Sequence, residues 1–452
     1  MNTFNIKIGI IGGGPAGYAL ALKLALSGIK VFLFEKDKLG GTCLNKGCIP
    51  TKSILHNTNL IYKTKNLQKF GIITDFKDFD FSKIIENKNS TVEKLNKSLG
   101  MLLKSYDIEV VTEEVISVEK NRIITKNACY ETEKIVLATG TKPLILKGFE
   151  PDNRFIFDSD GILELKKVPK SIVIIGSGAI GIEWSRIFSD LGTEVTLIEA
   201  AERILPIADA EVSSRVERLL KKKRVKTEKG TFAQMIKGNQ IILSNGKTID
   251  TEAVLVAVGR KPIMPDTKLN IEQTKGYLKV DNNYMTNIKN IFAIGDINGK
   301  SMLAHSATHQ AIELAEYLTK GMPAKFDQID IPSVIYGEPE IAWFGKTEEM
   351  LTNTDYKKTL FPVSAIGKAH TDEQIDGFIK ILTDNDNKIL GASIIAPEAS
   401  AMIMQLLIAK ENNLSYQSIL KAVFPHPTFS EGVFEALLSL DGQSLSLPKP
   451  KE

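Results

Sequence analysis

The chain contains the same sequence pattern twice. In NIKIGIIGGGPAG, which starts at Asn5, a run of β-branched residues leads into three glycines, an apolar helical segment follows, and the strand-like KVFLFE ends at Glu35. SIVIIGSGAIG, which starts at Ser171, repeats this order, and EVTLIE ends at Glu199. The glycines of the two copies are Gly12, Gly14 and Gly17, and Gly176, Gly178 and Gly181. In both copies the acid lies 18 residues after the third glycine.

This order of elements is typical of dinucleotide binding. A lone Gly-x-Gly-x-x-Gly can serve packing alone, but here strand, turn, helix, second strand and acid follow one another. The first glycine permits a tight turn, the second lets the backbone approach a pyrophosphate, and the third lets helix and strand pack closely. The helix N-terminus attracts the phosphates, and the acid accepts ribose hydroxyls. The two copies therefore predict two dinucleotides bound by an α/β fold with two Rossmann-like domains.

Other strand-like runs also end in small residues: IVLATG (135–140), AVLVAVGR (253–260) and IFAIGD (291–296). A strand that closes on Gly-Asp suits a ligand at the carboxyl edge of a sheet, so Asp296 could accept a ribityl hydroxyl. Alternatively, Asp296 caps the following turn. Beyond about residue 330, runs such as IPSVIY and GFIKILTD alternate with helical segments such as SAMIMQLLIAKENN, which predicts a separate α+β domain.

Composition excludes several classes of partner. The chain has 57 Lys and Arg residues against 54 Asp and Glu residues, a net charge of +3, which predicts no strong attraction to nucleic acid or to an anionic membrane. No window approaches about eighteen consecutive apolar residues. The N-terminal segment has neither the apolar core of a signal peptide nor an Arg-rich leader, so a cytoplasmic location is expected.

GGTCLNKGCIPTK, residues 40–52, holds two of the three cysteines, Cys43 and Cys48. In a regular helix, Cα atoms five positions apart are separated by roughly 8–9 Å, whereas a disulfide tolerates roughly 4.4–6.8 Å. A bridge would therefore require a distorted segment, which Gly47 and Pro50 favour. Because so short a loop gives a poor stabilising crosslink, redox exchange is the better use of the pair.

Two other uses of the cysteine pair compete with redox exchange. A structural metal site needs about four ligands, and His56 is the only further candidate nearby, so this use lacks ligands. The second alternative is a pair of buried, unreactive thiols. Cys129, in ACYETEKIVLATG, lies on a predicted strand and is expected to be an inert core thiol.

The redox interpretation requires a flavin and a base. A nicotinamide passes two electrons as hydride, whereas a disulfide is opened by thiolate attack, so one of the two dinucleotides must be a flavin. Thiol exchange also needs a base to form thiolate. His426 and Glu431, in FPHPTFSEG, suit this task because the carboxylate would hold the imidazole in one tautomer. A lone His-Pro is otherwise typical of a turn.

Taken together, these motifs resemble those of the flavoprotein disulfide reductases, which are pyridine nucleotide-disulfide oxidoreductases. The likeness extends from GGGPAG through GGTCLNKGCIPTK, ATG, GSGAIGIE, IFAIGD, MLAH and IPSVIYGEPEIAWFGKTEE to HPTFSE. It implies an FAD-binding domain with the redox disulfide (1–145), an NAD-binding domain (146–265), a central domain that completes the FAD site (266–330) and a C-terminal dimerisation domain (331–452). The expected assembly is a homodimer.

The resemblance also implies a role for each site residue. Cys43 would be the interchange thiol that forms the mixed disulfide with substrate, and Cys48 the flavin-side thiol that gives a charge-transfer complex with oxidised FAD. Lys52 would lie beside the flavin ring with Glu183 as its ion-pair partner. The His-Glu pair described above would act on the cysteines of the other subunit.

The same resemblance implies further cofactor-binding residues. Besides the glycines and terminal acids of the two units, they are Thr42, Thr139, Gly140, Gly259, Asp296, Met302, Leu303, Ala304 and His305. Glu199 ends the strand at which NADP-dependent relatives carry arginines, and a carboxylate there would repel a 2′-phosphate. FAD and NAD are therefore the expected cofactors, and no metal is expected.

Within this family, the chain is similar to members that oxidise dihydrolipoamide with NAD. The implied partners are lipoyl domains or lipoylated carrier proteins of 2-oxo acid dehydrogenase or glycine-cleavage complexes. Three segments depart from the family pattern: FP before His426, APEAS (396–400) and AHSATHQA (304–311). They leave open a related reductase for another disulfide or a metal ion, of the glutathione reductase or mercuric reductase kind. A non-catalytic flavoprotein that scaffolds a complex is a third alternative.

Overall fold

The computed structural model describes residues 2–325, 328–352 and 354–448. Its helices, in chain order, are α1 (Pro15–Leu26), α2 (Gly41–Lys46), α3 (Cys48–Lys65), α4 (Phe81–Ser105), α5 (Ala179–Leu191), α6 (Ala210–Lys222), α7 (Ala304–Lys320), α8 (Gly367–Thr371), α9 (Ala399–Glu411), α10 (Tyr416–Leu420) and α11 (Glu431–Ser439). Its strands are β1 (Asn2–Ile11), β2 (Val31–Phe34), β3 (Glu109–Val111), β4 (Val115–Glu119), β5 (Arg122–Thr125), β6 (Ala128–Leu137), β7 (Thr141–Pro143), β8 (Ile156–Phe157), β9 (Ser171–Ile175), β10 (Glu194–Ile198), β11 (Lys226–Glu228), β12 (Ala233–Lys237), β13 (Gln240–Leu243), β14 (Thr248–Asp250), β15 (Ala253–Val256), β16 (Arg260–Pro262), β17 (Gln273–Thr274), β18 (Tyr277–Leu278), β19 (Ile291–Ala293), β20 (Ser333–Ile335), β21 (Glu340–Gly345), β22 (Lys357–Pro362), β23 (Phe378–Thr383) and β24 (Ile389–Ala396).

The first glycine-rich unit forms the centre of a sheet with strand order β3-β2-β1-β6-β5-β4. β1 pairs in parallel with β2 and β6, which places Ile10 beside Leu33 and Val136. All three side chains are fully buried, as expected for parallel strands that are covered on both faces. β19 returns from far along the chain and pairs with residues 135–137 of β6.

The second unit builds a parallel sheet with strand order β11-β10-β9-β15-β8. The two copies share their local geometry: a Cβ on Gly17 would lie 1.8 Å from the carbonyl oxygen of Gly12, and a Cβ on Gly181 would lie 1.9 Å from that of Gly176. Only glycine permits this approach of helix to turn. The predicted pair of dinucleotide-binding folds is confirmed.

The C-terminal part forms an antiparallel sheet with strand order β20-β21-β24-β23-β22. Buried side chains of α9 and α11, among them Met402, Leu406 and Val433, pack with this sheet in one apolar cluster. This confirms the predicted α+β part of the fold. The four-domain division stays a prediction. β7 pairs with β16, and β19 joins the first sheet, so the chain passes between layers more than once.

A buried lysine joins the second sheet's layer to the C-terminal sheet. The side chain of Lys380, on β23, is 1% exposed, and its Nζ lies 2.8 Å from Asp209 Oδ2 and 2.5 Å from Glu211 Oε2 and also pairs with Glu348. Burial opposes the charge of the lysine, but the hydrogen bonds that its ammonium donates to these carboxylates outweigh this effect and raise the pKa of Lys380. The three carboxylates lie close enough to hold a metal ion, but the ammonium already pairs with all of them.

We expect Lys380→Met to lower the free energy of unfolding by about 3–5 kcal/mol, because it leaves the buried carboxylate of Asp209 without its cation. Urea unfolding followed by circular dichroism measures this change. Lys83→Met is the matched control, since Lys83 pairs with Glu86 on the exposed surface of α4, and it should leave stability nearly unchanged. Equal stability of the Lys380→Met variant and the parent chain would contradict the assigned role.

Candidate redox active site

The two cysteines lie on either side of a helix break. Cys43 belongs to α2 and Cys48 begins α3, and Gly47 between them has φ −147° and ψ −108°, outside the helical region. The break brings the two side chains into hydrogen-bonding contact, and both carry free thiols. The structure therefore has the distortion that a bridge between these positions requires.

The cysteine loop, which is the segment that carries Cys43 and Cys48, packs against the glycine turn of the first unit. Gly41 has φ +56°, and a Cβ there would lie 2.7 Å from the Cα of Gly14, so the two backbones meet where a side chain cannot fit. Asn45 Nδ2 donates to the carbonyl oxygens of Leu39 (2.8 Å) and Gly41 (3.0 Å), which fixes the start of α2. The thiols thus hold a set position relative to the predicted phosphate-binding turn.

The two thiols differ in acidity. The hydrogen bond from Cys43 is the largest influence on Cys48 and lowers its pKa to about 7, although burial opposes this. The ammonium of Lys52 also lowers the pKa of Cys48, whereas the carboxylate of Glu183 raises it. The hydrogen bond to Cys48 and burial raise the pKa of Cys43, which keeps its proton. The hydrogen bond from Cys43 and the charge of Lys52 therefore favour the thiolate form of Cys48.

An ion pair next to the thiols connects three parts of the chain. Lys52 Nζ, on α3, lies 2.9 Å from Glu183 Oε2, on α5, and the carboxylate is 4% exposed. The backbone N–H of Tyr336 donates to the other oxygen, Glu183 Oε1, at 3.0 Å. The ring of Tyr336 lies 4.9 Å from Lys52 Nζ, a cation–π distance. The pair predicted between Lys52 and Glu183 is present.

The two terminal acids make the same contacts in their units. Glu35 Oε2 accepts from the N–H of Gly13 at 2.8 Å, and Glu199 Oε2 accepts from the N–H of Ser177 at 2.9 Å. Ser177 Oγ also donates to Glu199 Oε2 at 2.6 Å. Each acid thus lies at the turn of its own unit, where a ribose would follow the pyrophosphate.

The helix ends beside these acids fit phosphate groups. α1 begins after Gly14 and α5 after Gly178, and neither helix has a side-chain cap at its N-terminus. Their first N–H groups therefore remain available to an anion, and the helix dipole favours one there. A Cβ on Gly178 would meet no atom within 4 Å, so the second turn has room for a ligand.

Asp296 follows β19 in the short 3₁₀ helix Gly295–Asn298. Thr141 Oγ1 donates to Asp296 Oδ2 at 2.7 Å, and burial raises the pKa of Asp296. Arg260 donates through Nε to Thr141 Oγ1 at 2.9 Å and through Nη2 to Thr42 Oγ1 at 3.4 Å. Arg260 thus connects the cysteine loop to the strand end that carries Asp296.

The remaining predicted cofactor residues lie at strand ends and at the start of α7. Thr139 Oγ1 donates to the carbonyl oxygen of Ile263 at 2.6 Å, and His305 Nε2 lies 2.8 Å from that of Pro332. Burial lowers the pKa of His305. Gly140 and Gly259 have positive φ angles at strand ends, and Met302, Leu303 and Ala304 lead into α7. Cofactor contacts for these residues stay predictions.

The predicted base lies apart from the thiols of its own chain. His426 Nδ1 is 2.8 Å from Glu431 Oε1, and the N–H of Thr428 donates to Glu431 Oε2 at 2.7 Å. The His426 side chain is 76% exposed. Within the described part of the chain, no hydrogen bond or ion pair joins it to Cys43 or Cys48.

Three residues near the thiols were not predicted from sequence. They are Arg260, Tyr336 and Tyr18. Burial and the two cysteines raise the pKa of Tyr18. The position of Arg260 directly after the small-residue end of a strand is a signal that sequence reasoning could have used. Tyr336 reaches the site only through packing of the C-terminal sheet, so no local pattern marks it.

Two family models match the chain. The model described as "Pyridine nucleotide-disulphide oxidoreductase" matches residues 6–311, and that of the family's dimerisation domain matches residues 331–437. The chain belongs to the pyridine nucleotide-disulphide oxidoreductase family. This family assignment confirms the predicted FAD- and NAD-dependent oxidoreductase, and the dimerisation domain supports a homodimer.

Curated relatives align with this chain over nearly its whole length. A dihydrolipoyl dehydrogenase of Bacillus subtilis is 35% identical, with 96% of this chain and 98% of that protein covered. A dihydrolipoyl dehydrogenase of Chlamydia pneumoniae is 37% identical, with 97% and 98% covered. The similarity therefore extends over nearly the full length of both relatives.

Two solved structures share the fold. LpdA from Mycobacterium tuberculosis superposes with a TM-score of 0.89 at 23% identity, over 96% of this chain and 99% of that chain. The flavoprotein disulfide reductase RclA from Escherichia coli gives a TM-score of 0.84 at 27% identity, over 95% and 99%. No helix within the described residues has the length and apolar character needed to span a membrane.

We expect Lys52→Met to raise the pKa of the Cys48 thiol above about 7, because the variant removes the cation that favours the thiolate. Glu183→Gln should shift this pKa in the opposite direction. The pH dependence of Cys48 alkylation in the reduced protein, resolved by peptide mass spectrometry, measures both effects. If the two variants moved the pKa in the same direction, the electrostatic account of this site would be wrong.

Proposed function

We propose that the chain is a dihydrolipoyl dehydrogenase, which oxidises dihydrolipoamide to lipoamide and reduces NAD⁺ to NADH. The observation that carries this proposal is the Cys43–Cys48 pair, brought together across the break between α2 and α3, next to the Lys52–Glu183 ion pair. The curated dihydrolipoyl dehydrogenases at 35–37% identity support the choice of substrate.

The first half of the reaction is thiol–disulfide exchange. One substrate thiolate attacks Cys43 Sγ, the Cys43–Cys48 bond breaks, and Cys48 leaves as a thiolate. Its lowered pKa makes it the better leaving group. The second substrate thiolate then attacks the substrate sulfur of the mixed disulfide and releases Cys43, which takes up a proton. Dihydrolipoamide has then lost two electrons and become lipoamide, and the cysteine pair has gained them.

The electrons must then leave the cysteine pair. A bound FAD, held by the glycine turn and Glu35 of the first unit, would supply the two-electron chemistry that links the dithiol to NAD⁺. The residues of the chain prepare this step: Lys52 provides a positive charge near Cys48, and Glu183 holds the lysine in place. The uncapped N-termini of α1 and α5 would bind the two pyrophosphates.

We assign the general base to His426 of the second subunit. The exposed imidazole, oriented by Glu431, is free to contact another chain. α9 supports a dimer, because Met404 (38%) and Ile408 (57%) expose apolar side chains on its outer face while its inner face packs in the core. Gln405 Nε2, on the same helix, donates to Ser430 Oγ at 2.9 Å and so connects this face to the His426 loop.

The proposed cofactor preference is NAD rather than NADP. Both oxygens of Glu199 accept backbone N–H groups, from Ser177 and Ala201, which fixes the carboxylate at the position expected for the ribose 2′-hydroxyl. A 2′-phosphate there would meet a like charge. We further propose that dihydrolipoamide arrives on lipoyl domains or lipoylated carrier proteins, for which the exposed His426 is accessible.

Anaerobic dihydrolipoamide should give the purified FAD-loaded enzyme a long-wavelength thiolate–flavin absorption band. NAD⁺ should discharge this band and form NADH, whereas NADP⁺ should not. Cys43→Ser should abolish lipoamide turnover and spare part of the NADH oxidation by artificial acceptors. If NADH produced the band but dihydrolipoamide did not, electron transfer between NADH, the flavin and the cysteine pair would be supported. The substrate would then be another disulfide or a metal ion.

Mixed dimers test the shared active site. A dimer of one Cys43→Ser chain and one His426→Gln chain, isolated through two affinity tags, contains one intact thiol pair facing an intact histidine. We expect about half of the parent dimer's lipoamide turnover, because one of two symmetric sites is complete.

The control dimer pairs a parent chain with a chain that carries both substitutions. Its thiols and histidine are intact only within one chain, so it should be nearly inactive. Activity in the control dimer, together with none in the first mixed dimer, would place His426 on the cysteines of its own subunit.

A further inference from the structure

Arg186 is a buried cation that the reaction described above does not use. It lies on α5, three residues after Glu183, and is 2% exposed. Residues three apart lie on one face of a helix, so both side chains point toward the same neighbour. That neighbour is the turn 336–339, which connects β20 to β21.

The guanidinium fixes this turn at both ends. Arg186 Nη1 donates to the carbonyl oxygen of Tyr336 at 3.1 Å and to that of Pro339 at 2.9 Å. Gly337, between them, has φ +143°, and a Cβ there would lie 2.2 Å from Arg186 Nη1. The turn is therefore shaped around the guanidinium, with no room for a side chain at that position.

The same turn holds the Lys52–Glu183 pair. The N–H of Tyr336 donates to Glu183 Oε1, and the ring of Tyr336 faces the Lys52 ammonium. One residue thus contacts both members of the pair, through its backbone on one side and its ring on the other. A shift of the turn would change both contacts together.

Burying this arginine is costly. Burial lowers the pKa of Arg186 to about 10, while Glu183, Asp190 and Glu340 favour its charged form. Arg186 Nη2 has no hydrogen-bond partner among the described residues. The hydrogen bonds of Arg186 to the backbone of the turn therefore point to a positioning role.

We propose that Arg186 is a positioning residue that fixes the 336–339 turn, and through Tyr336 the Lys52–Glu183 pair, and so controls the electrostatic field at the Cys48 thiol. This inference rests on the proposed roles of Lys52 and Cys48. Without the turn, Glu183 loses the Tyr336 N–H and its charge is neutralised mainly by Lys52. The lysine then favours the Cys48 thiolate less.

The test compares Arg186→Met, Arg186→Lys and Gly337→Ala. The readout is the pH midpoint of Cys48 alkylation by iodoacetamide in the reduced protein, resolved by peptide mass spectrometry. We expect Arg186→Met and Gly337→Ala each to raise the midpoint by about half a unit or more, and Arg186→Lys to restore part of the shift. Gly337→Ala keeps the arginine charge but disturbs the contact between the guanidinium and the turn, and it serves if Arg186→Met does not fold.

Lys88→Met is the matched control. Lys88 is also 2% exposed and donates to a backbone carbonyl, that of Leu163, at 3.0 Å, but it makes no contact with the turn. It should leave the midpoint at the parent value even if it destabilises the protein. An equal shift in Lys88→Met, or a parent-like midpoint in Gly337→Ala, would overturn the positioning role.

The outcome is separable from the proposed function. The alkylation midpoint needs neither flavin nor turnover, so it reports on Arg186 whatever the substrate is. If the parent enzyme showed no thiolate–flavin band with dihydrolipoamide while Gly337→Ala still shifted the midpoint, the substrate would be wrong and the role of Arg186 would stand. If the band formed with dihydrolipoamide and Gly337→Ala left the midpoint unchanged, the substrate would be right and the positioning role of Arg186 would be wrong.

Discussion

The carboxylate of Glu183 is the point on which the rest of the site depends. Burying a carboxylate is costly unless both oxygens are paired, and here the partners are the Lys52 ammonium and the Tyr336 N–H. The three residues come from α3, α5 and the turn after β20, so one buried charge holds elements of three different layers in register. Because Lys52 lies one helical turn after Cys48, the thiols take their place from the same interaction.

The two dinucleotide-binding units show how one local geometry can serve two purposes. Their turns and terminal acids match, with the same N–H contact to Glu35 and Glu199. Their surroundings differ: Gly14 is covered by Gly41 at the start of the cysteine loop, whereas Gly178 faces open space. An enclosed turn suits a cofactor that stays bound, and an open one suits a cofactor that is exchanged in each cycle.

Sequence predicts the parts of this protein whose geometry is local. The glycines and the terminal acid of each unit lie within one strand–helix–strand segment, and the two cysteines lie on adjacent helices, so their spacing in the sequence carries the information. The Lys52–Glu183 pair, 131 positions apart, came only from family resemblance. Arg186 and Tyr336 were not predicted, because their partners are set by packing between layers and their neighbouring residues carry no sign of it. Arg260 directly follows the small-residue end of a strand, which is a usable signal.

The late return of β19 has a consequence for synthesis of the chain. β6 presents an open edge at residues 135–137 until Ala293 has left the ribosome, and by then the whole second sheet has been translated. An unpaired edge strand invites pairing with other chains, and non-local pairing is slow. The first sheet must therefore wait, partly open, while a later part of the protein folds ahead of it, and that interval is when a nascent chain would be most exposed to misassembly and most in need of a chaperone.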